Sequence, residues 1–150
     1  MARRRAREVA FQALFQADRG ATPVLEAWLE LRAELAEEPD DEPYADALAR
    51  EDVDFAERLV RAFDGRKSEI DAELVELIQG WSFGQMAQTD LNVLRLALAE
   101  MALAETPAVV AVEMAVRLAK RFGGEDSGRF VNGVLAKVLR RASAVAEGVA

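Results

Sequence analysis

Arginines and an aromatic residue share one side of a helix near the start of the sequence. The basic residues of this block are Arg3, Arg4, Arg5 and Arg7. A helical wheel places Gln12 and Phe15 on the polar side of the same helix. Guanidinium groups bind phosphates, and an exposed ring stacks on an RNA base with a gain of about 1–3 kcal/mol. These six residues are therefore candidates for a single-stranded RNA site.

Other interpretations of this segment stay open on the residues alone. The arginines could open a solvated helix, and Phe15 could pack beneath another helix. Glu8 and the immediate amphipathic pattern argue against a transit peptide, and the short apolar run broken by Gln12 argues against a secretory signal. No stretch approaches the roughly 18 consecutive apolar residues of a membrane span, so the sequence predicts a cytoplasmic protein.

A weaker version of the same pattern lies near the C-terminal end of the sequence. Asp126, Arg129 and Phe130 fall at the start of the last predicted helix, with Phe130 at the edge of its apolar stripe. Asp126 could cap this helix, which would contribute about 1 kcal/mol. It could equally accept a hydrogen bond from the amino group of a base. The residue types alone do not choose between these roles.

Histidine and cysteine are both absent from the 150 residues. Their absence removes the disulfide framework, the thiol nucleophile, the zinc–thiolate site and the usual base for proton transfer near neutral pH. No glycine-rich cofactor loop follows a strand. We therefore expect a protein without catalytic activity, metal or cofactor.

The formal net charge of −8 argues, as an average, against a nucleic-acid partner. The charge is unevenly distributed, however. Residues 1–20 have a net charge of +3, residues 30–57 of −10 and residues 117–141 of +5. Both ends are therefore basic, and the acidic remainder should repel non-specific RNA from most of the surface.

Helical spacing of apolar residues dominates the chain and predicts an all-α fold. We expect six to seven helices in a single domain made of two small packed bundles, at about residues 3–78 and 82–141. The first helix should run from about Arg3 to Asp18. A long helix should begin near Asp52 and bend at Gly65, and an acidic loop should cover residues 37–44.

Short polar residues and glycines mark the predicted helix ends. Threonine before proline, at residues 22–23 and 106–107, is typical of a capping residue followed by proline at the first helical position. Gly123 and Gly124 should end the fifth helix. The predicted capping residues are Thr22, Thr89, Thr106 and either Asp126 or Ser127.

Three blocks of the sequence resemble the NusB family of bacterial transcription antitermination factors. In the family's order they are RRRARE (3–8) with QALF (12–15), TDL (89–91) with LRLA (94–97), and AKRFGGEDS (119–127) with FVNGVL (130–135). Together they frame the chain from Arg3 to Leu135. The acidic stretch between the first two blocks resembles nothing in particular, which suits a variable loop.

The resemblance implies a protein that binds the boxA sequence of ribosomal leader RNA together with the ribosomal protein NusE. It also implies membership of an antitermination complex on RNA polymerase that supports ribosomal RNA synthesis, without catalysis. By position, it assigns RNA binding to Arg3, Arg4, Arg5, Arg7, Gln12, Phe15, Asp126, Arg129 and Phe130. It assigns the NusE contact to Asp90, whose plainer role is that of an acid favoured by the helix dipole.

Family members often carry Tyr where this chain has Phe15, so the resemblance implies stacking there without a hydroxyl hydrogen bond. A helical adaptor that binds only proteins is the rival function, because the net charge and the amphipathic helix faces fit it too. The family's fold also occurs as a module of RNA cytosine methyltransferases, but this chain lacks a catalytic cysteine. Exposed apolar residues fit a monomer or a homodimer.

Overall fold

This computed structural model describes residues 3–37, 48–80 and 82–146. Six α-helices and one short 3-10 helix account for the secondary structure of these residues. The all-α prediction is confirmed, since no strand occurs among these residues. The predicted acidic loop lies beyond them from residue 38 onward. The helices are α1 (Arg4–Gly20), α2 (Val24–Glu37), α3 (Arg50–Leu77), α4 (Gln88–Leu103), α5 (Ala108–Gly123) and α6 (Glu125–Ala146), with the 3-10 turn at Phe83–Gln85.

Helix α1 presents a face of small residues to the rest of the molecule. The predicted core face is confirmed as buried and comprises Ala6, Ala10, Ala13, Leu14 and Ala17. Short side chains let helices approach closely, and α1 packs against α2, α3 and α4. Among the described helices, none is long and apolar enough to cross a membrane.

Helix α4 lies at the centre of the molecule, as its apolar character on nearly every side predicts. Every residue from Leu91 to Glu100 is buried, and α4 packs against α1, α3, α5 and α6. Its polar members are paired across helices. Asn92 donates to Asp18 of α1 at 3.1 Å, and Arg95 donates two hydrogen bonds to Asp71 of α3 at 2.9 and 3.0 Å.

Helix α3 bends next to Gly65, where the sequence predicts it, with a helical segment on each side of the bend. Arg66 has φ −126° and ψ 17°, outside the helical region, directly after Gly65. The bend separates an apolar run that includes Phe55 and Leu59 from a second one that includes Ile70 and Leu74, and all four side chains are buried. The single helix can therefore pack along both α1 and α4.

The predicted start of α4 is wrong by two residues and that of α5 by one. Helix α4 begins at Gln88 with Ala87 as its capping residue, so Thr89 lies inside the first turn. Helix α5 is capped by Pro107 rather than by Thr106, and no side chain bonds to the first turn there. Cap preferences are small energies, about 1 kcal/mol, and the packing of an apolar face outweighs them.

The predicted cap of α6 is also wrong. Gly123 and Gly124 end α5 as expected, but Gly124 has φ 89° and turns the chain so sharply that α6 starts at the very next residue. Asp126 and Ser127 therefore lie in the first turn of α6. The hydroxyl of Ser127 donates to the carbonyl oxygen of Gly123 at 3.1 Å and thereby braces the turn.

Candidate nucleic-acid interface

The first turn of α1 carries three arginines with exposed side chains. The side chains of Arg3, Arg4 and Arg5 are 45%, 69% and 37% exposed. Arg3 lies over the ring of Phe55, 4.2 Å from its centroid, and 3.9 Å from a carboxylate oxygen of Glu105. This packing holds the Arg3 side chain at one end of the molecule, next to the other two arginines.

Arg7 is placed differently from its neighbours. Its side chain is 6% exposed. Its Nε and Nη2 donate to the two carboxylate oxygens of Glu100 on α4, at 2.8 and 2.7 Å. A buried guanidinium that is paired on two atoms fixes α1 against α4.

The carboxylate of Glu8 lies close to arginines from two helices. It lies on the polar side of the predicted α1 wheel, yet it is only 3% exposed. Its carboxylate lies 3.8 Å from Arg4, 3.6 Å from Arg5 and 3.3 Å from Arg121 of α5. Arg121 therefore lies near the N-terminal arginines, although more than a hundred residues separate them in the sequence.

A basic cleft of about 510 Å³ opens at this point. We call it the arginine cleft. Its lining residues are Arg3, Arg4, Arg5, Arg7, Glu8, Asp52, Met114, Arg117, Leu118 and Arg121. The sequence-based site omits Arg117 and Arg121. Their spacing of four residues gives α5 a basic stripe, but only the packing of α5 shows that this stripe faces α1.

A row of three rings continues from the arginine cleft. The rings of Phe11 and Phe122 stack with centroids 5.1 Å apart, and those of Phe11 and Phe15 are 5.9 Å apart. Phe122 is 41% exposed and lies beside Arg121, whose guanidinium is 5.7 Å from its centroid. We call these three residues the aromatic row, and the sequence-based site omits Phe122 although it directly follows Arg121.

Phe15 is neither fully buried nor fully exposed. It is half-buried and packs against the core, so one side of its ring belongs to the protein interior. Gln12 is half-buried as well. Phe15 lies one turn before Asp18, which bonds to Asn92 of α4. The aromatic row thus leads from the arginine cleft toward the start of α4.

The predicted residues on α6 lie beside the end of α5. Asp126 is 94% exposed and accepts a hydrogen bond from Arg129, which is 73% exposed. That hydrogen bond raises the pKa of Arg129 above its usual value. Phe130 is half-buried and packs against the core. Lys120 of α5 lies directly over Gly128, so the basic end of α5 adjoins this part of α6.

Asp90 occupies the first turn of α4, where the helix dipole favours an acid. It is half-buried, and its Oδ1 atom is buried without a hydrogen-bond donor from any described residue. Its neighbour Thr89 lies close to Gly123 at the end of α5. Within the same described ranges, no three acidic side chains are grouped as a metal site would require.

Comparison with known proteins places these features in a family. Residues 4–140 match the model of the NusB family. The transcription antitermination protein NusB of Thermus thermophilus is 48% identical over 142 residues, which cover 95% of this chain and 93% of the relative. The protein of the same name from Deinococcus deserti is 49% identical over 140 residues, covering 92% and 80%.

Solved structures agree with the sequence comparison. The structure of Thermotoga maritima NusB is similar, with a TM-score of 0.75, 31% identity and coverage of 92% of this chain and 90% of that one. A crystal structure of the antitermination factors NusB and NusE in complex with double-stranded RNA is similar too, with a TM-score of 0.77, 25% identity and coverage of 93% and 97%. This chain belongs to the NusB family.

Proposed function

We propose that this protein is a transcription antitermination factor. It binds the boxA sequence of ribosomal leader RNA together with the ribosomal protein NusE, within an antitermination complex on RNA polymerase. Membership of the NusB family supports this function, and so does the similar structure in which NusB and NusE are bound to RNA. The observation that carries it is the arginine cleft beside the aromatic row, on an otherwise acidic protein.

The RNA surface that we propose has two parts. Arg3, Arg4 and Arg5 bind phosphates at the arginine cleft, where Arg121 adds a fourth cation. Phe15 and Gln12 continue this part along α1. Of the aromatic row, Phe122 is exposed and Phe15 is half-buried, so RNA on this surface can stack bases on these two rings and place phosphates at guanidinium groups, as single-stranded RNA sites commonly do.

The second part of the RNA surface is the start of α6. Arg129 and Phe130 offer a cation and a ring there, and the 94% exposed carboxylate of Asp126 can accept from a base amino group on its outer side. Because Arg129 already donates to Asp126, the two side chains act as one unit. Lys120 of α5 adjoins this unit at Gly128.

Asp90 is the proposed contact for NusE. Its buried Oδ1 atom lacks a donor in the part of the chain that the structure describes, and a buried acceptor without a partner is costly. A cation or hydroxyl on NusE would supply the missing hydrogen bond. We expect Asp90→Lys to weaken NusE binding at least about tenfold while leaving the affinity for RNA alone within about twofold, as expected for loss of a charged hydrogen bond.

The protein acts as a recruiting factor and not as an enzyme, and we place it in the cytoplasm, where transcription takes place. A gel shift with boxA RNA, with and without NusE and across a salt series, tests the function. Salt-sensitive RNA binding that NusE strengthens is the expected result. Binding to NusE without any binding to RNA would favour the protein-only adaptor instead.

A further inference from the structure

Glu8 is a buried acid, and one of its two carboxylate oxygens lacks a hydrogen-bond donor among the described residues. It is 3% exposed, and no described residue donates a hydrogen bond to its Oε1 atom. Native structures leave few buried polar atoms unpaired, and each one calls for a partner such as a ligand. Glu8 forms part of the wall of the arginine cleft, so a ligand in the cleft is the nearest source of a donor.

The cations around Glu8 are near neighbours without hydrogen-bond geometry. Arg4 and Arg121 lie 3.8 and 3.3 Å from its Oε1 atom, and their side chains are 69% and 54% exposed. The Nε atom of Arg5 is also buried without an acceptor among the described residues. Long exposed side chains turn readily, so a phosphate that attracts Arg4 and Arg121 would uncover the carboxylate of Glu8.

The remaining surface of the arginine cleft suits a flat ring. Met114 and Leu118 of α5 contribute apolar side chains to the lining. The volume of about 510 Å³ lies within the range of roughly 300–1,000 Å³ that is usual for small-ligand sites. The cleft therefore combines an apolar wall for a base, guanidinium groups for a phosphate and one carboxylate for the polar edge of the base.

We propose that the arginine cleft binds one guanine nucleotide, whose base donates to the carboxylate of Glu8. A carboxylate accepts hydrogen bonds only, and its two oxygens match two donors that lie side by side. Guanine presents N1–H and the N2 amino group in that arrangement. Adenine and cytosine each offer a single amino group there, and uracil a single N–H.

The guanine can belong to bound RNA or to a free nucleotide, because both present the same base and a phosphate. The RNA case rests on the proposed function of this protein. The nucleotide case does not, so the two sources are tested in separate arms. In both, Arg4, Arg5 and Arg121 bind the phosphate and Glu8 selects the base.

The first arm compares a short single-stranded boxA-type RNA containing one guanosine with the same RNA containing inosine, which lacks the N2 amino group. Fluorescence anisotropy gives both dissociation constants for each protein. The wild type should bind the guanosine RNA about tenfold or more tightly, as expected for a hydrogen bond to a charged group. In Glu8→Gln the preference should fall to about twofold or less, because the amide offers one acceptor oxygen, which can still pair with the N1–H that guanine and hypoxanthine share, and its NH2 group cannot accept from the N2 amino group.

Asp52→Asn is the matched control, because Asp52 is another acid of the cleft lining. It should raise the affinity for both RNAs and leave their ratio unchanged. A preference for guanosine that survives in Glu8→Gln overturns the proposal. Thermal melts followed by circular dichroism show whether each variant is folded.

The second arm titrates the protein with GMP and IMP by calorimetry. A GMP preference that depends on Glu8, with no discrimination between the two RNAs, identifies a free nucleotide as the source of the guanine. Ratios near one in both arms overturn the proposal. If neither RNA binds at all, the proposed RNA function has failed, and the comparison of GMP with IMP alone decides whether the cleft selects guanine.

Discussion

Arg7 and Glu100 form a buried ion pair between α1 and α4. Their side chains are 6% and 3% exposed. Removing one partner of a buried pair leaves an uncompensated charge in the interior, which typically costs about 3–5 kcal/mol. We expect Glu100→Gln to lower the free energy of unfolding by about that amount, measured by urea denaturation.

Glu105→Gln is the matched control for this prediction. Glu105 accepts two hydrogen bonds from Arg58 at 2.7 and 2.9 Å, but its side chain is 34% exposed. Pairs near the surface usually contribute about 0–1 kcal/mol. Equal losses of stability in Glu100→Gln and Glu105→Gln would show that burial does not increase the cost of breaking the Arg7–Glu100 pair.

Glu105 also gives a pH-dependent prediction. The hydrogen bond from Arg58 lowers the pKa of Glu105 below its usual value of 4.5. An acid with a lowered pKa in the folded state stabilises the protein above its unfolded pKa, and this contribution disappears as the pH falls through the folded pKa. The difference in unfolding free energy between wild type and Arg58→Ala should therefore shrink as the pH falls from about 5 to 3. A difference in unfolding free energy that stays constant over this pH range would contradict the prediction.

The sequence predicts which residue types form the site better than it predicts their burial. The arginine block and its place on α1 follow from residue type and helical spacing. The burial of Arg7 does not, because its partner Glu100 is 93 residues away. Glu8 lies on the polar side of the wheel and is nevertheless buried, with Arg121 of α5 beside its carboxylate. Contacts between distant helices decide both cases.

At the level of the helices, two glycines should respond in opposite ways to alanine. Gly65 lies inside α3, and no atom lies within 4 Å of the position a Cβ would take. Gly65→Ala should raise the unfolding free energy by about 0.5–1 kcal/mol through helix propensity. Thermal or urea unfolding measures the change, and a loss of stability would indicate that the bend at Arg66 requires glycine.

Gly124→Ala is the contrasting variant. Gly124 joins α5 to α6 with φ 89°, where a side chain is strained. We expect a loss of about 1 kcal/mol or more. An unchanged stability would show that the turn relaxes to another conformation. Since α5 and α6 each bear proposed RNA contacts, the RNA affinity of this variant should fall as well.

Helix existence was predictable from the sequence, but helix starts were not. The apolar spacing that predicts α4 and α5 extends over their whole length, and the bend of α3 is marked by Gly65. The starts depend on single capping residues of small energy. The observed starts of α4, α5 and α6 differ by one or two residues from those predicted at Thr89, Thr106 and Asp126. Packing outweighs the cap preference at α4 and α5, and the sharp turn at Gly124 sets the start of α6.

Across the whole molecule, the fold brings the two basic ends of the chain to one surface. Arg121 of α5 reaches the carboxylate that Arg4 and Arg5 of α1 also approach. The net charge of −8 is thus compatible with a local anion site. The charge pattern along the sequence shows two basic segments, but only the packed structure shows that they adjoin.

The polar contacts of α4 with α1 and α3 predict that the two bundles unfold together. Trp28 is fully buried in the first bundle and donates to Glu57 at 3.0 Å. In Trp81→Phe, which retains Trp28 as the single tryptophan, urea transitions followed by fluorescence and by circular dichroism should coincide. Separate midpoints of the two urea transitions would show that the two bundles unfold independently.

The salt dependence of boxA RNA binding tests the central claim most directly. If the arginine cleft binds phosphates, the logarithm of the association constant should fall linearly with the logarithm of salt concentration, by about 0.7 for each phosphate contact. Arg4→Ala should weaken binding and reduce this slope by about 0.7. Arg61→Ala, which removes an exposed arginine of α3, is the control. Binding without salt dependence, or a slope unchanged in Arg4→Ala, would contradict the account.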